Sequence, residues 1–343
     1  MSISVTRVAS SGTSAQAGSR RPVLIDTDLS FDDYVALLFL LQHPRVEVRA
    51  ITVTNGVVHI EPGLENCARL LSLVGQPNIP IGRGVTQSLS GQNDFPASWR
   101  FLMGHVFRLF LPRRKLPLTT MEAPALIRQQ ILASSSSVTF VALAPLTNLA
   151  LALQADPTLI QHIEKVVVSG GAFAVPGTIH TEIPANPNTV AEWNFYTDPL
   201  AAKMVLQSGA RIALVPLDVT HVQGESPLVF SQSAVRALRA AARGKASRLL
   251  VRLIYWWQLA TNQYPATPVW DAAAAALAVE PQMGSWRALR VGVVQEPQAV
   301  AGQTREEANA PYPIQICFAG DRAAFEAAYL ALVTGEPKGD GKN

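Results

Sequence analysis

From Pro22 onward the chain alternates short, near-continuous apolar runs with longer segments of helical periodicity, and few folds accept that pattern. The apolar runs Val23–Asp26, Val46–Val53, Val138–Leu143, Lys165–Ser169 and Ile212–Pro216 read as strands buried on both faces. Between them, Asp33–Gln42, Pro62–Val74, Ala123–Ala133, Thr147–Gln154 and Pro199–Gln207 read as helices. Such alternation predicts an α/β fold with a doubly wound, mostly parallel central sheet, which binds ligands at the carboxyl ends of its strands. From Pro227 to Trp257 the pattern is helical and reads as an insertion. A loop (Thr261–Val269) and an Ala-rich helix from Asp271 follow. Ala288–Val294 and Tyr312–Phe318 are late strand candidates before a final helix, Arg322–Val333. The segment Thr86–Thr119, with Trp99, Phe101 and the basic run Arg113–Lys115, is irregular. Residues 1–21 and 336–343 are expected to be disordered tails around a single domain, 22–335.

Composition narrows the function. Hydrophobic residues make up 48% of the 343, enough for a large core, and charged residues only 15%. The formal charge is +3, but Arg7, Arg20 and Arg21 lie in an acid-free first 22 residues, so the remaining chain is neutral. A neutral body is a poor binder of phosphate backbones, so no nucleic-acid partner is expected. No membrane span is expected either, because the long uncharged stretch from Gln129 to Ala155 is broken by Ser134–Ser137 and Pro145. Two cysteines, Cys67 and Cys317, supply neither a disulfide framework nor a zinc site, and a cytoplasmic location fits them. The N-terminus lacks the apolar core of a secretory signal.

The strongest local signal is Val23-Leu-Ile-Asp26-Thr-Asp28-Leu-Ser-Phe-Asp32-Asp33-Tyr-Val-Ala-Leu. Capping the following helix needs one carboxylate, whereas four in one turn repel, and a bound cation relieves that repulsion. Oxygen-only ligands indicate Ca²⁺ or Mg²⁺ rather than zinc.

This Asp26-x-Asp28-x-x-x-Asp32-Asp33 turn resembles the signature of the inosine–uridine nucleoside hydrolase family. The resemblance continues in order through Ala50-Ile-Thr-Val-Thr, Asn66, Val141-Ala-Leu-Ala-Pro-Leu-Thr-Asn148 and Ser169-Gly-Gly171. It ends with Asn186-Pro-Asn-Thr-Val-Ala-Glu192-Trp-Asn194 and Trp270-Asp271, and spans roughly residues 22–335. It implies Ca²⁺-dependent hydrolysis of the N-glycosidic bond of ribonucleosides. By the same resemblance, Asp28, Asp33, Asp271 and the backbone carbonyl of Leu143 are the metal ligands. Asp28 is in addition the base that deprotonates the attacking water. Asp32, Asn186, Glu192 and Asn194 hold the ribose hydroxyls, and Asp26 has a structural role. Trp270 stands where some members carry a histidine that protonates the leaving base. It is expected instead to stack on that base, as in purine-preferring members. The family's homodimers and homotetramers imply a homo-oligomer here.

The pattern is broken twice. Leu29-Ser30 replaces the Pro-Gly usual in the family, so either Ser30 is strained at positive φ or the turn differs and could misplace Asp32. Val57 falls where the family has an asparagine, with Asn55 a possible substitute on another loop path. His59 could reach a pocket from the same loop, whereas His221 reads as structural. Two alternatives follow. A ribose- or nucleoside-binding protein of this fold could have lost turnover through those departures. A haloacid dehalogenase-type phosphatase also carries Asp-x-Asp after its first strand, but it needs a downstream lysine and a late acidic pair, and Gly320-Asp321 offers one acid.

Overall fold

The computed structural model describes residues 20–91, 93–112, 120–260 and 266–335. The two tails and the run Arg113–Lys115 lie outside these residues, except for Arg20 and Arg21. Ten strands form one sheet: β1 (Arg21–Thr27), β2 (Val46–Val53), β3 (Ile81–Arg83), β4 (Thr120–Glu122), β5 (Val138–Ala142), β6 (Ile163–Ser169), β7 (Ile212–Val215), β8 (Gly284–Val293), β9 (Thr304–Glu306) and β10 (Pro313–Gly320). Their order is β4-β3-β2-β1-β5-β6-β7-β10-β8-β9, parallel as far as β10 and antiparallel across the last two pairings. Strand order reverses between β1 and β5, so their carboxyl ends flank the crevice where such sheets bind ligands.

As far as Thr197 the chain forms helices α1 (Phe31–Gln42), α2 (Ile60–Leu73), α3 (Ala97–Phe101), α4 (Ala123–Leu132), α5 (Thr147–Ala155), α6 (Ile179–Glu182) and α7 (Trp193–Thr197). The remainder adds α8 (Pro199–Leu206), α9 (Leu217–Thr220), α10 (Gln232–Ala241), α11 (Gly244–Ala260), α12 (Trp270–Val279) and α13 (Arg322–Thr334). Alternation along the strands divides the core in two. Val23, Ile25, Val141 and Val167 face α1, α11, α12 and α13. Leu24, Phe140, Val166 and Val168 face α4, α5 and α8 on the other side. The expected helical insertion is α10 and α11, which break at Gly244 (φ +74°) and cover the first of these faces. Among the described residues, no helix is long and apolar enough to cross a membrane. Cys67 and Cys317 are buried and unpaired.

Of the two alternatives for the turn after β1, a strained Ser30 or a different turn, the structure adopts the second. Ser30 has φ −65° and caps α1: its hydroxyl accepts from the Asp33 N–H while the Asp33 carboxylate accepts from the Ser30 N–H. The residue at positive φ is Leu29 (φ +59°), and its side chain is fully buried. A left-handed conformation costs a non-glycine residue about 1–2 kcal/mol. Burial of Leu29 offsets it. We therefore expect an inversion of the usual ranking. Both Leu29→Ala and Leu29→Gly lose the buried side chain, but only glycine relieves the backbone, so the glycine variant should melt higher than the alanine variant. Thermal denaturation of the pair measures it; an alanine variant of equal or greater stability would remove the strain.

Candidate active site

The β1–α1 turn, the β2–α2 loop and the N-terminus of α12 meet at the carboxyl edge of the sheet. Asp26 is fully buried and belongs to the scaffold. It accepts from Thr52, from Thr54 Oγ1 (2.7 Å) and from Asn148 Nδ2 (2.9 Å), tying β1 to β2 and α5. Burial pushes its carboxyl up to about 6 despite those bonds. Asp28 Oδ2 accepts from the Val57 N–H at 2.7 Å, and its carboxyl lies against that of Asp33. Asp33 also accepts from Thr27 Oγ1. Asp32 accepts from Ser30 Oγ and, at 3.4 Å, from the Asp271 N–H.

Asp32, Asp33 and Asp271 each bring an oxygen to within 4.8 Å of the others, although 238 or more residues of chain separate the last from the first two. The four carboxylates at 28, 32, 33 and 271 are at most 6% exposed. Burial first, and then their mutual repulsion, raises Asp28 and Asp271 well above the ordinary carboxylate value and Asp32 to about 7. Burial raises Asp33 too, against hydrogen bonds that lower it. Among the described residues, no lysine, arginine or histidine lines the cavity to balance them. A cluster of buried carboxylate oxygens with no basic side chain in the described cavity wall fits a hard divalent cation of the Ca²⁺ or Mg²⁺ type.

The cavity above these acids has a volume of about 310 Å³, within the roughly 300–1,000 Å³ usual for small-molecule sites. Its polar part comprises Asp28, Asp32, Asp271, Ser169, Glu192 and Asn194, with Leu143 beside them. Glu192 caps α7 by accepting from the N–H groups of Asn194 and Phe195, and also from that of Gly171. Burial pushes it up to about 7. Asn194 Nδ2 donates to the carbonyls of Leu143 and Ser169, both at 3.1 Å, which leaves the second lone pair of the Leu143 carbonyl available.

The apolar wall consists of two packed aromatic groups. In one, Phe31 stacks on Trp257 (3.9 Å between ring centres) and Trp270 meets both edge-on. In the other, Trp193 stacks on Phe95 (4.7 Å) beside Trp99. Of the aromatics in and after α11, Trp257 faces the cavity, Trp256 is exposed and Tyr255 lies under Arg239. Tyr264 lies outside the described residues.

Most of the anticipated side chains are brought together: Asp28, Asp32, Leu143, Glu192, Asn194, Trp270 and Asp271 line one cavity, and Asp33 lies against Asp28 beneath it. Asn186 is not in that wall. Its Nδ2 donates to the Tyr196 hydroxyl and its Oδ1 accepts from the Asn188 N–H, so both ends are used locally. Thr178 and Glu182, at the start and end of a short helical turn, line the cavity instead. Asn55 does not stand in for an asparagine at 57, because its side chain accepts from Arg100; His59 contacts the same guanidinium and does not line the cavity. His221 is buried outside the cavity wall. Phe31, Phe95 and Trp193 join the wall without having been anticipated. Phe31, inside the acidic turn, and Trp193, between Glu192 and Asn194, carried a local signal in the sequence, whereas Phe95 did not.

Residues 23–327 match the profile of the inosine-uridine preferring nucleoside hydrolases. The chain belongs to that family. A probable uridine nucleosidase 2 of Arabidopsis thaliana is 29% identical over 78% of this chain and 80% of its own length. The pyrimidine-specific ribonucleoside hydrolase RihA of Klebsiella pneumoniae is 33% identical over 58% of this chain, an alignment spanning 61% of that protein. Among solved structures, a plant nucleoside hydrolase superposes with a TM-score of 0.77 at 26% identity, covering 92% of this chain and 99% of that one. A purine-preferring ribonucleoside hydrolase of Gardnerella vaginalis shares the fold at 23% identity, with a TM-score of 0.78 over 92% of this chain and 98% of its own. Membership in a family of N-glycosyl hydrolases removes the phosphatase alternative.

The acidic cluster has a measurable signature. A carboxylate raised in the folded state contributes stability below its ordinary value of 3.8 and loses it as pH rises through the folded value, here about 7 for Asp32. In chelator-treated buffer the melting temperature should therefore fall from about pH 4 to about pH 8. Added Ca²⁺ should raise it, more at about pH 8 than at about pH 5, because protons compete for the same oxygens. A melting temperature indifferent to Ca²⁺ at the higher pH would remove the cation site.

Proposed function

We propose that this protein hydrolyses the N-glycosidic bond of ribonucleosides to ribose and free base, with Ca²⁺ held by Asp28, Asp33, Asp271 and the Leu143 carbonyl. The observation that carries the reading is the convergence of acids from both ends of the domain beneath a nucleoside-sized aromatic cavity with no basic residue in its wall among the described residues. A bound cation supplies charge compensation for those acids and makes a nearby water more acidic.

Asp28 is the base. Its Oδ2 is oriented by the Val57 N–H, and it removes the proton from the water that attacks C1′. Asp32, Glu192 and Asn194 bind the ribose hydroxyls, so binding energy remote from the scissile bond is available to distort the ring. The surrounding carboxylates favour the positive charge that develops on the sugar.

The base leaves from between aromatic walls. With no imidazole lining the cavity, Trp270 and Trp257 hold it by stacking, which supports a purine-preferring reading because a bicyclic base offers the larger face. The names of the uridine- and pyrimidine-specific relatives favour the opposite preference, and a comparison of inosine with uridine decides between them. The expected result is the higher kcat/KM for inosine; a higher value for uridine overturns the base preference and leaves the hydrolysis intact.

The reaction itself is tested by assaying free ribose from a nucleoside panel with Ca²⁺. Asp28→Asn should lower kcat by about 10²–10⁴, the usual contribution of a general base, and chelation should abolish turnover. Ribose release at the wild-type rate by the Asp28→Asn variant would refute the assigned base. Nucleoside binding without turnover by the wild type would instead support the binding-protein alternative.

A further inference from the structure

The loop joining β2 to α2 wraps Asp28. Its Thr54 N–H donates to the Thr27 carbonyl at 2.9 Å, and its Val57 N–H donates to Asp28 Oδ2 at 2.7 Å. Gly56 lies so close that a Cβ there would come within 2.0 Å of Asp28 Oδ2. No side chain of this loop contacts the base carboxylate through a hydrogen bond on the described contacts; the backbone does. A backbone donor is only as well placed as the loop that carries it. Asp26 and Asn148 fix the start of the loop at Thr54, and Arg100 holds the part on either side of Gly56–Val57.

Arg100, on α3, is 5% exposed. Its Nη1 donates to Asn55 Oδ1 at 3.3 Å and contacts His59 Nδ1 at 2.8 Å, so a single nitrogen bridges the loop on both sides of Gly56–Val57. Asp94 forms an ion pair with the same guanidinium. Burial, and then Arg100 itself, keep His59 below its ordinary value, which leaves Nδ1 free to accept. The neighbours of Arg100 along the chain, Trp99, Leu102 and Met103, line the cavity. One side chain therefore joins the aromatic wall to the loop that orients Asp28.

We propose that Arg100 is a positioning residue for the hydrolysis, clamping Asn55 and His59 so that the Val57 N–H is held against Asp28. This rests on the assignment of Asp28 as base. Val57 brings no side-chain amide to the carboxylate, and a clamped backbone donor takes over the orienting role. A carboxylate whose direction is lost affects the transition state more than the bound substrate, so the effect belongs in kcat.

The test compares Arg100→Met, which keeps the apolar stem and loses the donors and charge, with Arg100→Lys, which restores a charge and a donor. For each, kcat and KM are measured on the nucleoside best hydrolysed by the wild type at saturating Ca²⁺, and the imidazole ¹⁵N shifts of His59 report the contact itself. The expected result is a fall in kcat of about 10–100-fold in Arg100→Met with KM within about threefold, partial recovery in Arg100→Lys, and loss of the Nε2–H tautomer preference of His59. Unchanged kcat in Arg100→Met alongside a lost His59 tautomer preference overturns the proposal, as does a change confined to KM. Should Arg100→Met fail to fold, Asn55→Ala and His59→Ala remove the two acceptors separately. Each should lower kcat by about 3–10-fold, and two unchanged variants overturn the proposal. Wild-type turnover with insensitive variants defeats this assignment alone; a wild type that releases no ribose from any nucleoside defeats the proposed function and this assignment with it.

Discussion

Four carboxylates buried side by side, with no lysine, arginine or histidine among the described residues lining their cavity, are the constraint around which this structure is arranged. Repulsion among Asp28, Asp32, Asp33 and Asp271 opposes folding, and the chain offsets it locally in two ways. Asp32 and Asp33 occupy the first turn of α1 and Asp271 the first turn of α12, so two helix N-termini direct their free N–H groups and partial positive charge at the cluster. The Asp271 N–H donating to Asp32 joins those termini directly. Leu29, held in the left-handed region with its side chain buried, provides the turn that brings α1 to this position.

The cavity divides the work between its acidic and aromatic parts. Hydroxyl-rich sugar and hard cation suit the carboxylates and amides at the strand ends, whereas a flat, weakly polar base suits the indole and phenyl faces of Trp270, Trp257, Phe31 and Trp193. Strand ends and helix N-termini supply the acids; Phe31 and Trp270 share the first turns of α1 and α12 with them, whereas Trp99 and Trp257 come from α3 and α11. Because Trp99 and Trp257 rest on an irregular and an inserted segment, that part of the wall can vary without disturbing the acids.

Much of this was legible in the residues. β2 runs over Val46–Val53 as its β-branched pattern requires, and the acidic turn after β1 indicated a cation by charge density alone. α1 begins at Phe31 rather than Asp33 because Ser30, read as a misfit, is its cap. β3, β4 and β9 have three residues each, too few for periodicity to register. Asn186 lies outside the cavity wall, and its distance from Glu192 along the chain could not show the turn that directs its amide to Tyr196 and Asn188. Arg100 was invisible for a related reason: an arginine in an irregular segment reads as solvated, and its burial depends on a loop 41 to 45 residues away.

Calcium titration by calorimetry, on the wild type and on Asp271→Asn, tests the central claim most directly, since only the fold brings that residue to the β1–α1 turn. The predicted result is one Ca²⁺ per chain for the wild type and at least about a tenfold loss of affinity in the variant. Wild-type affinity in Asp271→Asn, or no saturable binding by the wild type, would contradict it.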